Sequence, residues 1–297
     1  MMENHAAPPS GAPDPFRPAD QVDPPDAPDR ARRFGGIARL YGDAGARRFA
    51  QAHVAVIGIG GVGSWAAEAL ARTAVGRLTL VDLDNVAESN TNRQIHALDG
   101  NYGKAKVDAM AERIALIDPA CTVRTIEDFA EPDNFDAVLG AGFDYIIDAI
   151  DSTRTKTALI AWCAARGQKI VTVGSAGGQT DPTRIRVDDL SRTIQDPLLA
   201  KVRATLRKMH RFPRDPKTRF GVPAVYSDEP LRYPQSRVCE VDDTDAAGAT
   251  DAEAGFGRNG GATGLNCAGF GSSVVVTASF GLAAAAHVLN TLAATAR

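Results

Sequence analysis

Residues 53–84, HVAVIGIGGVGSWAAEALARTAVGRLTLVDLD, constrain the fold of this chain more than any other stretch. The run Val54-Ala55-Val56-Ile57 is continuously apolar, the pattern of a parallel strand covered on both faces. It enters Gly58-Ile59-Gly60-Gly61-Val62-Gly63 and then a segment of helical composition. Glycines there permit a sharp turn, a close approach of backbone to phosphate, and tight packing of helix on strand. The helix start offers unpaired N–H groups and a positive dipole end to an anion. A second strand, Leu78 to Val81, ends at Asp82, where a carboxylate suits ribose hydroxyls. The unit therefore predicts a ligand with a ribose and phosphates. The turn alone leaves a nicotinamide dinucleotide and ATP equally open.

The rest of the chain repeats the alternation. A polar loop, residues 85–94, follows the second strand, the edge where such sheets keep their sites. Val107, Met110, Ala111, Ile114 and Ile117 share one face of a helix predicted over 104–117. Further strands are predicted at 121–126, 145–149 and 169–174, with a helix over 153–166 capped by Ser152 or Asp151. This pattern predicts an α/β fold with a Rossmann-like, mainly parallel, doubly wound sheet. Beyond residue 180 the period changes, and Arg184-Ile185-Arg186-Val187 alternates like a half-exposed strand, predicting an antiparallel C-terminal extension over 180–297. Residues 1–31, which hold eight prolines, are expected to be a disordered tail, leaving 32–297 as one domain with an amphipathic lead-in.

Net charge of −3 gives no global case for nucleic acid, so the question passes to local segments. Lys201, Arg203, Arg207, Lys208, Arg211, Arg214, Lys217 and Arg219 crowd one segment that holds a single acid, Asp215. They are either a face for a phosphate backbone or a solvated helix running into a proline-broken loop. Residues 240–263 are acidic and rich in Gly and Ala and are expected to form a mobile loop. The four cysteines include no C-x-x-C pair, which argues against a tetrathiolate zinc site and fits a reducing, cytoplasmic setting. The N-terminus shows no basic region followed by an apolar run, so no signal peptide is expected. Residues 270–289 are apolar, yet Ser272, Ser273, Thr277, Ser279 and His287 favour a buried core helix over a membrane span.

Residue types then favour ATP. Arg93 in the polar loop, Lys106 in the next helix and Asp151 after the fourth strand suit a triphosphate. Arginine forks two phosphate oxygens, lysine adds a point charge, and an aspartate can hold Mg²⁺ between phosphates. Lys104 and Lys106 sit in a helical first turn, where the dipole disfavours cations. Either an anion faces them or both are solvated. Such a set neutralises charge when a carboxylate attacks an α-phosphate. Spacing alone leaves adenylation even with a dehydrogenase.

The glycine unit, followed by SNTNRQ, GKAKV and DAIDS, resembles the ubiquitin-activating-enzyme-like adenylyltransferases. Within that superfamily, RFGGIARLYG at 33–42, SNTNRQIHAL at 89–98, TIQDPL at 193–198 and YPQS at 233–236 are similar to the tRNA threonylcarbamoyladenosine dehydratases. The resemblance implies ATP-dependent activation of the threonyl carboxylate on tRNA, then ring closure with release of AMP. It implies that Gly58, Gly60, Gly61 and Gly63 cradle the nucleotide and that Asp82 takes the ribose. Asn90, Arg93 and Lys106 would face the phosphates. Asp151 would hold Mg²⁺, with Asp84 and Ser152 as neighbours. It further implies a homodimer and leaves room for a monovalent cation, Na⁺ or K⁺. Sulfur-carrier activators of the same superfamily often carry zinc-binding C-x-x-C pairs and an N-terminal arginine motif. The pairs are absent here, and the arginine position reads Arg33-Phe34-Gly35-Gly36. Activation of a ubiquitin-like carrier, with a sulfur-transfer partner, is the alternative. Cys239 would then be a reactive thiol; otherwise it is an inert loop thiol.

Overall fold

The computed structural model describes residues 29–140, 142–233 and 270–296. The proline-rich tail, Cys239, Cys267 and the 240–263 segment lie outside them. Seven strands form one sheet in the order β3-β2-β1-β4-β5-β7-β6. They are β1 (His53–Ile57), β2 (Arg77–Val81), β3 (Thr122–Ile126), β4 (Tyr145–Asp148), β5 (Ile170–Val173), β6 (Ile185–Asp189) and β7 (Pro223–Ser227). All neighbours are parallel except β6 and β7. The order reverses between β1 and β4, which opens a crevice at their carboxyl ends.

The helices are α1 (Arg30–Gln51), α2 (Gly63–Ala71), α3 (Lys106–Ile117), α4 (Phe135–Leu139), α5 (Thr153–Arg166), α6 (Pro197–Met209) and α7 (Val274–Ala294). Period-2 alternation sends β1 side chains to two separate cores. Val54 and Val56 join Phe49, Leu70, Met110, Ile114 and Phe280 on the face of α1, α2, α3 and α7. Ala55 and Ile57 join Phe135, Leu159, Ile160, Leu199 and Val202 on the face of α4, α5 and α6. Each such large aliphatic or aromatic side chain contributes about 1.5–3 kcal/mol on burial, so both faces hold the sheet.

The sheet class and strands β1 to β5 follow the sequence pattern, with some shifts. The lead-in is a full helix that begins at Arg30, capped by the Asp29 side chain and kinked at Gly42 (φ 74°). Arg30 and Ala31, placed with the tail by sequence, thus belong to this helix. Helix α3 starts at Lys106, because Ala105 is extended and bridges Asn85. Among the described residues the antiparallel extension is β6 alone, β7 runs parallel to β5, and α6 and α7 follow in the same region. The C-terminal apolar stretch is α7, whose length and composition would suit a membrane span. It buries Val276, Phe280, Ala284 and Val288 in the core.

A Cβ on Gly281 of α7 would lie 2.3 Å from the Val62 carbonyl oxygen, so the backbones of α7 and the start of α2 touch. Gly281→Ala is expected to force them apart and destabilise the fold by about 1–3 kcal/mol. A lower urea midpoint at unchanged m value is the measurement.

Candidate active site

A cavity of about 840 Å³ opens at the carboxyl ends of β1, β2, β4 and β5. Its floor is the glycine turn. Gly58 has φ 87°, and a Cβ there would lie 2.9 Å from the Ala149 carbonyl oxygen. A Cβ on Gly63 would lie 1.8 Å from the Gly58 carbonyl oxygen, so the turn closes on itself and admits no side chain. Val62 precedes α2 without a side-chain cap; the Ser64 N–H turns back to the Gly60 carbonyl at 3.2 Å, and the helix start offers an anion its dipole and its remaining first-turn N–H groups.

Asp82 stands at the end of β2 beside this turn. Its carboxylate accepts hydrogen bonds from the Ile59 N–H at 2.6 Å and the Asp84 N–H at 2.9 Å. Burial pushes its carboxyl above the ordinary range, against the opposing pull of Lys106 and those two N–H groups. Each oxygen keeps a further lone pair for a hydroxyl donor. Lys106 is buried at the first position of α3, with its Nζ 2.6 Å from Asp84 and 3.9 Å from Asp82. Two carboxylates therefore explain this lysine at a disfavoured helix end. Lys104 answers the same question the other way, pairing with Glu112 at the surface.

Arg93 lies over the turn: a Cβ on Gly61 would meet its Cγ at 3.1 Å. Its guanidinium donates to the Ser89 carbonyl and the Asn92 side chain, both uncharged. It forms no ion pair among the described residues, so its charge stays uncompensated inside the cavity. The Trp65 indole N–H donates to the Arg93 carbonyl at 2.9 Å and pins the loop. Asn90, also buried, accepts from the Ala87 N–H and shapes the same turn. His96 does not line the cavity, and burial, with the charges of Lys106 and Arg113, lowers its pKa to about 4. A neutral imidazole away from the cavity offers nothing to a dehydrogenase.

Asp151 faces the cavity from the turn after β4. Although the residue is exposed, partial loss of water around its carboxyl raises it, with the Asp84 charge adding and Lys156 and Lys106 opposing. Ser152 is committed as the cap of α5, accepting from the Thr155 N–H. Among the described residues no three His, Cys, Asp or Glu side chains converge to hold a metal. Mg²⁺ at Asp151 would draw its remaining ligands from phosphate oxygens and water, the usual arrangement for this ion.

Beneath Asp151 lies a pair of which sequence marks only one member: Asp148 opens the DAIDS motif, and no motif marks Lys156. Lys156 and Asp148 are fully buried, with Nζ 2.8 Å from the carboxylate. Lys156 also donates to Thr172 Oγ1 at 3.1 Å, and Thr172 donates to Asp148 at 2.7 Å. The other Asp148 oxygen accepts from the Ile150 N–H, which fixes the turn carrying Asp151. Lys156 falls in TRTKT, in the first turn of the helix predicted over 153–166. Asp196 does similar work across the cavity, accepting from the Ser175 and Leu199 N–H groups.

The profile of the ThiF family matches residues 35–296. The chain belongs to the ThiF family. It is 48% identical over 263 residues to tRNA threonylcarbamoyladenosine dehydratase of Haemophilus influenzae, covering 88% of this chain and 93% of that protein. The Escherichia coli K12 protein of the same name is 50% identical over 266 residues, 89% of this chain and 95% of its own. The crystal structure of E. coli tRNA N6-threonylcarbamoyladenosine dehydratase in complex with ATP matches with a TM-score of 0.76 and 47% identity. That match covers 90% of this chain and 96% of the other. Molybdopterin-synthase adenylyltransferase of Salmonella typhimurium is more distant, 32% identical over 43% of this chain and 51% of its own.

Two groups of cations stand apart from this ThiF cavity. Arg33 bonds the carbonyl of Ile117, the last residue of α3, whereas Lys106 at the first residue faces the cavity. It therefore sits about 16 Å, one helix length, from its own site. In the basic segment, Arg203 is half-buried and donates to Thr193 Oγ1. Arg207 stacks over Phe220, 5.1 Å from the ring centroid, and its Nε bonds the Pro213 carbonyl. Lys201, Lys208, Arg211, Arg214, Lys217 and Arg219 are exposed. These six pair with no carboxylate among the described residues.

Lys156→Met leaves Asp148 as an uncompensated buried charge and is expected to destabilise the protein by about 3–5 kcal/mol. The double variant with Asp148→Leu is expected to recover most of that loss. Thermal unfolding of the two variants against wild type measures both.

Proposed function

We propose that this chain dehydrates N6-threonylcarbamoyladenosine in tRNA to its cyclic form at the expense of ATP. The observation that carries the proposal is the uncompensated Arg93 lying over the glycine turn beside Lys106, with Asp151 across the cavity. Near-full-length identity of about half with dehydratases of that name supports the substrate.

The glycine turn and the start of α2 receive the phosphates, and Asp82 accepts from the ribose hydroxyls. A threonyl carboxylate oxygen attacks the α-phosphorus. The bond from that phosphorus to its bridging oxygen breaks, and pyrophosphate leaves with the electron pair. Arg93 and Lys106 neutralise the charge that builds on the phosphate oxygens, while Asn90 orients the loop that presents Arg93. Asp151 would hold Mg²⁺, which would supply further positive charge between phosphates. In the second step a nucleophile of the same side chain attacks the acyl carbon, loses its proton, and expels AMP. That attack is intramolecular and gains from proximity. The proposal includes a homodimer in the cytoplasm. A monovalent cation, Na⁺ or K⁺, and a sulfur-transfer partner at Cys239 are its outermost parts.

The tRNA face of the proposal is the basic segment. Leu198, in the first turn of α6, lines the cavity, and α6 then runs about 18 Å toward Lys208 and the loop beyond. A cationic stripe leading away from a nucleotide site suits a phosphate backbone whose modified base enters the cavity.

Lys106→Ala and Asp151→Ala are each expected to lower turnover by about 10²–10³-fold while the melting temperature holds. Mass spectrometry of modified tRNA incubated with ATP and protein reads turnover as the loss of one water from the nucleoside. Wild-type protein that leaves the nucleoside mass unchanged but exchanges pyrophosphate with a carrier ending in Gly-Gly would replace this function with carrier activation. Arg207 is held by Phe220 and Pro213, so the exposed positions test the tRNA face better. Charge reversal at Lys208, Arg211 and Lys217 together is expected to weaken tRNA binding about tenfold or more at low salt. The log–log salt slope should become shallower by roughly 0.7–0.9 for each phosphate no longer neutralised, with ATP affinity unchanged.

A further inference from the structure

Helix α7 begins at the cavity wall. Ser272 and Thr277 both line it, and the helix cap Ser273 makes no side-chain capping bond. The lead-in to the helix is clamped on two sides. Asn92 Nδ2 donates to the Ser272 carbonyl at 2.9 Å, and the Gly178 N–H donates to the Gly271 carbonyl at 2.8 Å. One turn past Thr277, Gly281 rests on the start of α2. Two helix N-termini, those of α2 and α7, thus converge on one cavity.

Two buried polar atoms there have no partner among the described residues. Thr277 is 3% exposed and Gln94 is 6% exposed, and both line the cavity. Thr277 Oγ1 and Gln94 Oε1 make no hydrogen bond to any described residue. This is not the habit of helical hydroxyls in this protein: Thr157, Ser279 and Thr291 each donate to the carbonyl four residues back. A buried polar atom left unsatisfied is costly, so an orphan on a residue that lines a cavity points to a ligand. The chemistry of that ligand follows from the two groups. A threonine hydroxyl at a positive helix end donates to an anionic oxygen. An amide oxygen accepts from an O–H or N–H.

We propose that Thr277, Gln94 and the N-terminal end of α7 form the acyl subsite, beside the nucleotide cradle, which Gln94 borders at Gly60. It takes a small carboxylate that carries a nearby hydroxyl or amide N–H. The Thr277 hydroxyl donates to the carboxylate, and Gln94 Oε1 accepts from the neighbouring O–H or N–H. The assignment rests on the dehydratase reading, whose threonylcarbamoyl group carries those functions. It also meets a physical need of that reaction: a carboxylate must approach an α-phosphate of like charge. One helix dipole faces each anion, which lowers their repulsion before the bond forms.

The test uses full-length protein with Thr277→Val, Thr277→Ser and Gln94→Met. ATP affinity is measured by calorimetry, and kcat/KM with threonylcarbamoyl-modified tRNA. Thr277→Val and Gln94→Met are each expected to lower kcat/KM about tenfold or more, with ATP Kd and melting temperature unchanged and with Thr277→Ser restored toward wild type. Wild-type kcat/KM in Thr277→Val, or an equal loss of ATP affinity, overturns the subsite. Wild-type protein inert toward modified tRNA overturns the dehydratase reading itself, and the acyl subsite with it.

Discussion

The buried pair of Lys156 and Asp148 is the interaction on which the site depends. Both side chains are wholly excluded from water at the end of β4. Burying two charges carries a desolvation penalty that the pair alone does not clearly recover. Its use here is positional. Asp148 spends one oxygen on the Ile150 N–H, and Lys156 closes on the Asp148 carbonyl as well as the carboxylate. The turn bearing Asp151 is thereby held at the crevice between β1 and β4. A flexible turn would leave that carboxylate to drift, and catalytic geometry tolerates little drift.

Against that rigid floor, the charges at the mouth are arranged unequally. Lys106 is already paired with Asp84, whose side chain is mostly exposed, and stands near the buried Asp82. Arg93 has only neutral acceptors among the described residues. An incoming phosphate therefore meets one cation without a counter-charge and one that is shared. Asp84, being mostly exposed, can turn to water while a phosphate takes its place as the counter-charge of the buried Lys106. Asp82, bonded to two backbone N–H groups, stays in place at the end of β2.

Legibility from sequence tracked distance along the chain. The unit from β1 through Asp82 was readable because its turn, helix and second strand are local consequences of glycine and apolar patterning. The ends of helix α5, Thr153 and Arg166, were readable, while its cap stayed open between Ser152 and Asp151, and the structure shows Ser152 in that place. Lys106 stood out by its clash with the helix dipole, and its partners Asp82 and Asp84 lie outside its own helix. Lys156 escaped notice because a lysine among threonines looks solvated, and only the fold of β4 against β5 buries it. Strand β7 escaped because Pro223 and Pro230 bracket a short run that pairs with elements distant in sequence. Gln94 lies inside the SNTNRQ motif, yet no pattern shows that its oxygen is left without a donor.

Helix α7 shows how a generic nucleotide fold acquires selectivity. Its composition, long and nearly free of charge, first suggests only core or membrane. Folding sets its apolar face against α1 and α2 and brings its uncapped end to the cavity. The contact at Gly281 fixes the distance between the two helix starts, because neither backbone can retreat without opening a gap. Selectivity for the acyl group then rests on a helix far from the glycine turn in sequence and adjacent to it in space. A relative could keep the ATP cradle unchanged and alter its acyl substrate by changing Thr277 alone, since no residue of the glycine turn hydrogen-bonds to that side chain.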